Sequence, residues 1–404
     1  MRESSFTILS VALSIRVLYY TFMAFLQDKR ILLLHPFLNF YGGAEYLLKV
    51  VATEIFPKAD IYTFSYRKDI LSEMGIEESR IISPLGRGIF SSMYTQTTPL
   101  YPSMMDTLSA DNYDLVLSFT YGYVHGIVTA HTQPHISFVQ TPMRLLWLKE
   151  SEHYWYDKVP VVRELYRSIL AWQRVWDRQA ATRPDYLLAN SHIVGKRVET
   201  FWGRTAQVVY PPVDTAFYAP SEHVTKSDYF ITHSRLVRYK RIDILIDACI
   251  QQNKKLMVVG DGPDYKRLKA VAKRSPLIEF TGYVSHEEKR HLLQEAKGFL
   301  FAAEEDFGIA PVEALAAGTS VLAYGKGGVT ETITADTGMF FKEQSAKSLA
   351  GSLENFETFV GHVNAGVLSK QAEKFSKKQF VDTYSATVSN KVSDFEKNGP
   401  PLLA

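Results

Sequence analysis

Hydrophobic residues recur along the chain in two alternating patterns. One is a short, unbroken apolar run, seen at Ile31–Leu34, Asp60–Phe64, Asp114–Phe119, His135–Val139 and Tyr186–Asn190. Such runs are expected of strands buried on both faces of a parallel sheet. The other is a longer stretch with apolar positions every three or four residues, as in Ala44–Ile55 and Val159–Thr182, which predicts helices. Strands resume at Tyr229–His233, Leu256–Val259, Leu277–Phe280 and Ser320–Tyr324, with helices over Ile242–Gln251 and near Lys377–Lys397. Strands alternating with helices define an α/β chain with parallel sheets. Pro211-Pro212 stiffens an extended link between the two series and sets the expected domain boundary. The expected division is an apolar segment over 1–29, a domain over 30–212, a second over 213–376, and a helix and tail over 377–404.

The first segment breaks the pattern. Phe6–Leu26 is nearly long enough to span a bilayer, yet Arg16 lies at its middle and no small-residue cleavage site follows. It admits three readings: a membrane anchor, a helix packed on the domain, or a start codon placed too early, with Met23 the true one.

Composition narrows the class without naming a substrate. The chain has 404 residues, 46% of them hydrophobic and 22% charged, which is ordinary for a globular protein and enough for two domains. A net charge of +2 argues against a nucleic-acid partner. Cys249 is the single cysteine, so no intrachain disulfide forms, in keeping with a reducing compartment.

The richest chemistry lies between Phe299 and Gly318. An apolar strand ends in Glu304, Glu305 and Asp306, turns at Phe307-Gly308 and enters a helix that carries Glu313. Pro311 marks its expected first position and Gly318 its end. Ligands of open α/β sheets bind beyond the carboxyl ends of strands, where a helix start offers N–H groups to an anion. Phe307, Gly308 and Ile309 would supply those anion contacts, and Glu305 and Glu313 would accept from hydroxyls. Phosphate plus hydroxyls describes a nucleotide sugar. A competing reading makes Glu313 a cap of its own helix and Glu304–Asp306 solvated charge. Beyond other predicted strand ends lie Gly42-Gly43, the cations Arg235 and Lys240, and Gly260 and Gly262. Glycines let backbone approach a ligand, and two cations suit a diphosphate. Each is also compatible with an ordinary turn.

Taken together these motifs resemble the retaining glycosyltransferases of family 4. Glu305, seven intervening residues and Glu313 match the E-x7-E signature; Arg235 and Lys240 match R-x4-K; Gly42-Gly43 matches the glycine-rich first loop. Gly327, Gly328 and Glu331 resemble a further loop near the phosphates. The resemblance covers about Arg30 to Lys397. It implies the GT-B fold: two Rossmann-like doubly wound domains facing across a cleft, with the C-terminal helix crossing back to the N-terminal domain. It also implies roles. Glu313 would hold the ribose and Glu305 the donor sugar, Arg235 and Lys240 would neutralise the leaving diphosphate, and Tyr283 and Val284 would flank the base. The mechanism implied is hexose transfer with retention, needing no cofactor beyond the nucleotide-sugar co-substrate. No D-x-D triad occurs in the chain to carry a metal.

Gln140-Thr-Pro-Met-Arg144 resembles the mannosyltransferase-like branch concerned with bacterial O-antigen and capsule synthesis. That branch has histidine where this chain has Gln140, which cannot carry a proton. Gln140 and Arg144 are the acceptor-side candidates. GDP-mannose is therefore the expected donor, with a UDP-hexose, or a catalytically weak nucleotide-sugar-binding protein, as alternatives. The acceptor would be a glycan or lipid-linked glycan, and the site of action the cytoplasmic face of a membrane. Arginines and aromatics in Val159–Thr182 suit an anionic membrane surface, although the plainer reading, an amphipathic helix with buried aromatics and solvated arginines, is the one its period favours.

Overall fold

The computed structural model of the chain describes residues 28–86, 97–148, 160–221 and 224–401, with the side chains of 160–163 left out. The Phe6–Leu26 run lies outside the described residues. Residues up to Pro212, together with those from Lys378 onward, form one compact unit, and Val213–Lys377 form the body of the other.

The first unit holds β1 Ile31–Leu34, β2 Phe37–Leu38, β3 Asp60–Tyr62, β4 Ser65–Tyr66, β5 Ile81–Ile82, β6 Leu115–Thr120, β7 His135–Val139, β8 Tyr186–Ala189 and β9 Gln207–Val208. Seven of these make a sheet in the order β5-β3-β1-β6-β7-β8-β9, with every pairing parallel. Its main helices are α1 Gly43–Val50, α2 Pro160–Ala180 and α3 His192–Trp202. Strand residues alternate between the sheet faces. Leu33, Ile61 and Phe119 meet one apolar cluster, while Leu32, Tyr62 and Val116 meet another that includes Trp176 and Ala180 of α2.

The second unit repeats the scheme. Its strands are β10 Phe230–His233, β11 Leu256–Val259, β12 Ile278–Gly282, β13 Gly298–Phe301, β14 Val321–Tyr324 and β15 Gly338–Phe341. They lie parallel in the order β12-β11-β10-β13-β14-β15. The helices that matter here are α4 Ile242–Gln251, α5 His286–Glu295, α6 Ile309–Ala316 and α7 Ala346–Val360. Leu245 and Cys249 of α4 and Leu349 and Phe356 of α7 cover one sheet face. The last helix, α8 Lys377–Asn398, belongs with the first sheet, burying Phe380, Tyr384, Val388 and Val392 in its core. The Tyr186 hydroxyl donates to Asp394 on α8 at 2.7 Å.

Three expectations need correction. The helix expected over Ala44–Ile55 is α-helical only to Val50, then widens into one π turn over Val51–Ile55. The Arg80 guanidinium donates to the carbonyls of Ala52, Phe56 and Ala59 there, at 3.0, 3.1 and 2.8 Å, a distant partner that helical period cannot register. Pro311 is the third helical residue, not the first: Gly308, at φ +91°, is the residue before the helix, and the missing proline N–H still falls in the first turn, where none is needed. Finally, the aromatics of α2 are not all in the core. Trp176 is buried, but Trp172 is half exposed, beside exposed Leu165 and Val175. Among the described residues no helix is long and apolar enough to cross a membrane.

Candidate active site

In the second sheet the strand order reverses between β10 and β13, and the loops leaving these neighbours open the crevice where ligands of such sheets bind. Glycines knit the loops together. Gly260 has φ +120°, and a Cβ there would lie 2.1 Å from the Ser234 carbonyl; a Cβ at Gly262 would lie 2.4 Å from that of Leu236. These two glycines therefore serve the close approach of the β10 and β11 loops. Gly327, at φ +84°, and Gly328 press likewise on the turn after β13. Cβ atoms there would lie 2.5 Å from the Glu305 carbonyl and 2.3 Å from that of Asp306, and the Gly328 N–H donates to Glu305 O at 2.8 Å. Glu305 is thus held from the backbone side by the next loop.

The structure brings Glu305 and Lys240 together. Lys240 ends the single turn Arg238–Lys240 after β10, and its ammonium pairs directly with Glu305 Oε1, with both side chains largely buried. Arg235 lies exposed on the same loop. An ammonium has three donors, so Lys240 can hold Glu305 and still reach a phosphate oxygen.

Glu313 sits inside α6 and caps nothing: the residue before the helix is Gly308, with no side-chain cap. Its carboxylate instead receives the Lys289 ammonium at 3.3 and 3.1 Å on its two oxygens, and His233 Nε2 lies 3.0 Å away. Burial pushes the Glu313 carboxyl up, but the charge of Lys289 and the contact with His233 outweigh it and hold the carboxyl at about 2. Burial lowers His233, the Lys289 charge adding to it and Glu313 opposing it. Residue patterns missed both partners. His233 merely ends a strand, and Lys289 sits in the solvent-facing sequence H-E-E-K-R of α5.

Near the end of β12, Tyr283 is 77% exposed, free to stack on a planar ligand, and Val284 beside it is half-buried. Phe307 does not offer its side chain to a ligand. Its ring is buried against Phe375, centroids 5.4 Å apart, so only its backbone is available to a ligand. Gly308 and Ile309 stand at the start of α6, and Glu331 lies half-buried in the single helical turn Val329–Thr332 that follows Gly327-Gly328.

Gly42, Gly43, Gln140 and Arg144 belong to the first unit. There the strand order reverses between β1 and β6. Gly42 precedes α1 and makes no side-chain cap, and Glu45 stands in the first turn. His35, at the end of β1, is wholly buried, and burial lowers it to about 3, so its ring is neutral. Gln140 follows β7; Asn190 donates to its carbonyl at 2.8 Å, while its own amide nitrogen is buried with no hydrogen-bond partner among the described residues. Arg144 is half-buried at the start of the turn Arg144–Trp147. That turn is tied down by Asp177 of α2, a fully buried carboxylate accepting the indole N–H of Trp147 at 2.8 Å and of Trp202 at 2.6 Å. His125 Nε2 lies 3.5 Å from its other oxygen. Among the described residues no group of three or more His, Cys, Asp or Glu side chains is placed to hold a metal ion.

Two parallel-sheet domains of this order in one chain are the GT-B fold of glycosyltransferases. Anabaena HepE, solved with UDP and glucose, shares that fold at a TM-score of 0.66 and 21% identity, over 90% of this chain and 100% of that one. Sucrose-phosphate synthase from Thermosynechococcus elongatus matches at a TM-score of 0.69 and 14% identity, over 91% and 99% of the two chains. Residues 214–359, within the second unit, match the family model of glycosyl transferases group 1. The GDP-mannose-dependent alpha-(1-6)-phosphatidylinositol dimannoside mannosyltransferase of Mycobacterium tuberculosis is 34% identical over 128 residues, 28% of this chain. The match spans 32% of that relative's length.

Proposed function

We propose that the protein transfers a hexose from a nucleotide sugar to a hydroxyl of a glycan or lipid-linked acceptor, with retention of anomeric configuration. The observation that carries this reading is the pair of carboxylates at the switch point, Glu305 against Lys240 and Glu313 against Lys289 and His233, within the span that matches the family. Glu313 accepts from the ribose and Glu305 from the donor sugar. Arg235 and Lys240 take up the charge that develops on the diphosphate as the anomeric carbon–oxygen bond breaks. The acceptor oxygen forms the new bond on the same face, and its proton passes to the departing phosphate oxygen, so no protein nucleophile is consumed. Gln140, with its unpaired buried amide donor, and Arg144 serve the acceptor.

Mannose from GDP-mannose is the favoured donor, supported by the name of the mycobacterial relative and by the T-P-M-R stretch. The UDP bound to HepE supports a UDP-hexose as second choice. Incubating the protein with GDP-mannose and with UDP-glucose, and following release of the nucleoside diphosphate, tests the activity. Binding without release from either donor supports the non-catalytic alternative.

The acceptor side works at an anionic lipid surface. On α2 the exposed Leu165, Trp172 and Val175 form an apolar stripe beside Arg167, Arg174 and Arg178, with Glu164 alone among the exposed residues of that face opposing them. Trp172→Glu should reduce sedimentation with anionic vesicles severalfold and leave nucleotide affinity unchanged. Equal sedimentation of variant and wild type would remove this face from the account.

A further inference from the structure

We infer that Lys289 is a positioning residue that fixes the Glu313 carboxylate for the ribose, with neutral His233 as the third member of the cluster. The inference rests on reading Glu313 as the ribose contact. Geometry carries it. One ammonium reaches both carboxylate oxygens, at 3.3 and 3.1 Å, which fixes the plane of the carboxylate. The three side chains are 17%, 13% and 11% exposed, so water is a poor substitute for any of them. The ammonium also lies 5.1 Å from the centre of the Tyr218 ring, which closes another side. Oε2 is met by both Lys289 and His233, whereas Oε1 is met by Lys289 and keeps a further lone pair for a ribose hydroxyl.

The need for such a partner follows from where Glu313 stands. Burial alone favours a protonated carboxyl, which gives up an acceptor and does not bind two hydroxyls as a carboxylate does. Lys289 reverses that preference. It stands on α5 one turn beyond Ser285, whose side chain accepts the Glu288 N–H at 3.1 Å and so caps the helix. Tyr283 lies two residues before that cap. The loop assigned to the base and the carboxylate assigned to the ribose are therefore joined through one rigid helix start. The titratable groups that bear on Glu313 are Lys289 from α5 and His233 from β10, and His233 in turn feels Lys240.

Calorimetric titration of GDP and UDP into wild type, Lys289→Met, Lys289→Arg and Glu313→Gln, at about pH 5.5 and 8 on either side of the ordinary histidine range, tests the inference. Wild type should show affinity nearly independent of pH. Lys289→Met should lose roughly 10-fold at the higher pH, the scale of one charge-assisted hydrogen bond. It should recover part of that loss at the lower pH, because removing the Lys289 charge leaves burial and Lys240 to hold the His233 ring neutral and lets it protonate more readily as the replacement cation. Lys289→Arg should restore affinity at both pH values, and a merely structural lysine gives no such rescue by acid. If Lys289→Met does not fold, Lys289→Gln replaces it. Should Glu313→Gln weaken binding while Lys289→Met matches wild type, the inference is overturned and the ribose reading stands. Should Glu313→Gln itself bind like wild type, the ribose reading falls with it.

Discussion

The two sheets are built to one plan, yet their switch points differ in how much fixed charge they gather. Beyond β10 and β13 the second unit gathers Arg235, Lys240, Glu305 and Glu313, with Lys289 behind them. Beyond β1, β6 and β7 the first unit offers a neutral histidine at His35 with the Glu45 carboxylate 4.0 Å from its Nε2, the amides of Gln140 and Asn190, the Thr120 hydroxyl, 3.2 Å from His125 Nδ1, and the half-buried Arg144. Its deep carboxylate, Asp177, is used up on two indoles. On the proposed function the contrast is a division of labour. A leaving diphosphate requires fixed charge, whereas a polyhydroxy acceptor is met mainly by hydrogen-bonding groups.

The largest effect should come from the charged side of this contrast. Arg235→Ala or Lys240→Ala should lower turnover by roughly 10²-fold or more, the scale of removing one preorganised donor. Melting temperature should hardly move for Arg235→Ala, since that side chain is exposed. Wild-type turnover in either variant would detach diphosphate stabilisation from this loop. On the neutral side, Asp177→Ala leaves two buried indole N–H groups unpaired and should cost about 2–4 kcal/mol of unfolding free energy. Denaturant titration reads that loss. GDP or UDP affinity should stay as in wild type, and a parallel loss of affinity would show that the two sites are not separate.

A finer division separates the two glutamates. Glu313→Gln should weaken nucleoside diphosphate binding roughly 10-fold, while Glu305→Gln should spare it and reduce transfer. Calorimetry beside a turnover assay distinguishes them; equal behaviour of the two variants would merge their roles. The smallest effect concerns acid. The Glu313 carboxyl lies below its ordinary 4.5 in the folded chain, so its contribution to stability is full above that value and fades as pH falls toward about 2. Glu313→Gln should therefore flatten the acid limb of a melting-temperature profile, and an unchanged limb would locate the acid sensitivity elsewhere.

Much of this was legible in the residues because it is local. Apolar runs mark the strands, and the E-x7-E spacing reports one strand-to-helix turn whose two carboxylates need no distant partner to be noticed. What was not legible depends on long-range packing. His233 lies 80 residues from Glu313 in sequence and touches it only because β10 and β13 are neighbours. Lys289 has the pattern of a solvated helix residue, and no period reports that α5 turns it toward α6. Trp172 and Trp176 lie four apart on one helix, and periodicity alone did not say which of them the sheet would cover. The glycines announce a close approach of backbone without saying of what: at Gly260 and Gly262 it is the Ser234 and Leu236 backbone of the neighbouring loop.

The central claim is that the charged switch point of the second unit binds a nucleoside diphosphate. Calorimetric titration of GDP and UDP into the full chain, repeated with Arg235→Ala, tests it most directly. The account predicts saturable binding at one site per chain, tighter for GDP and weakened in the variant. Tighter binding of UDP would move the donor to a UDP-hexose. No binding of either nucleotide, or equal binding by wild type and variant, would contradict the account.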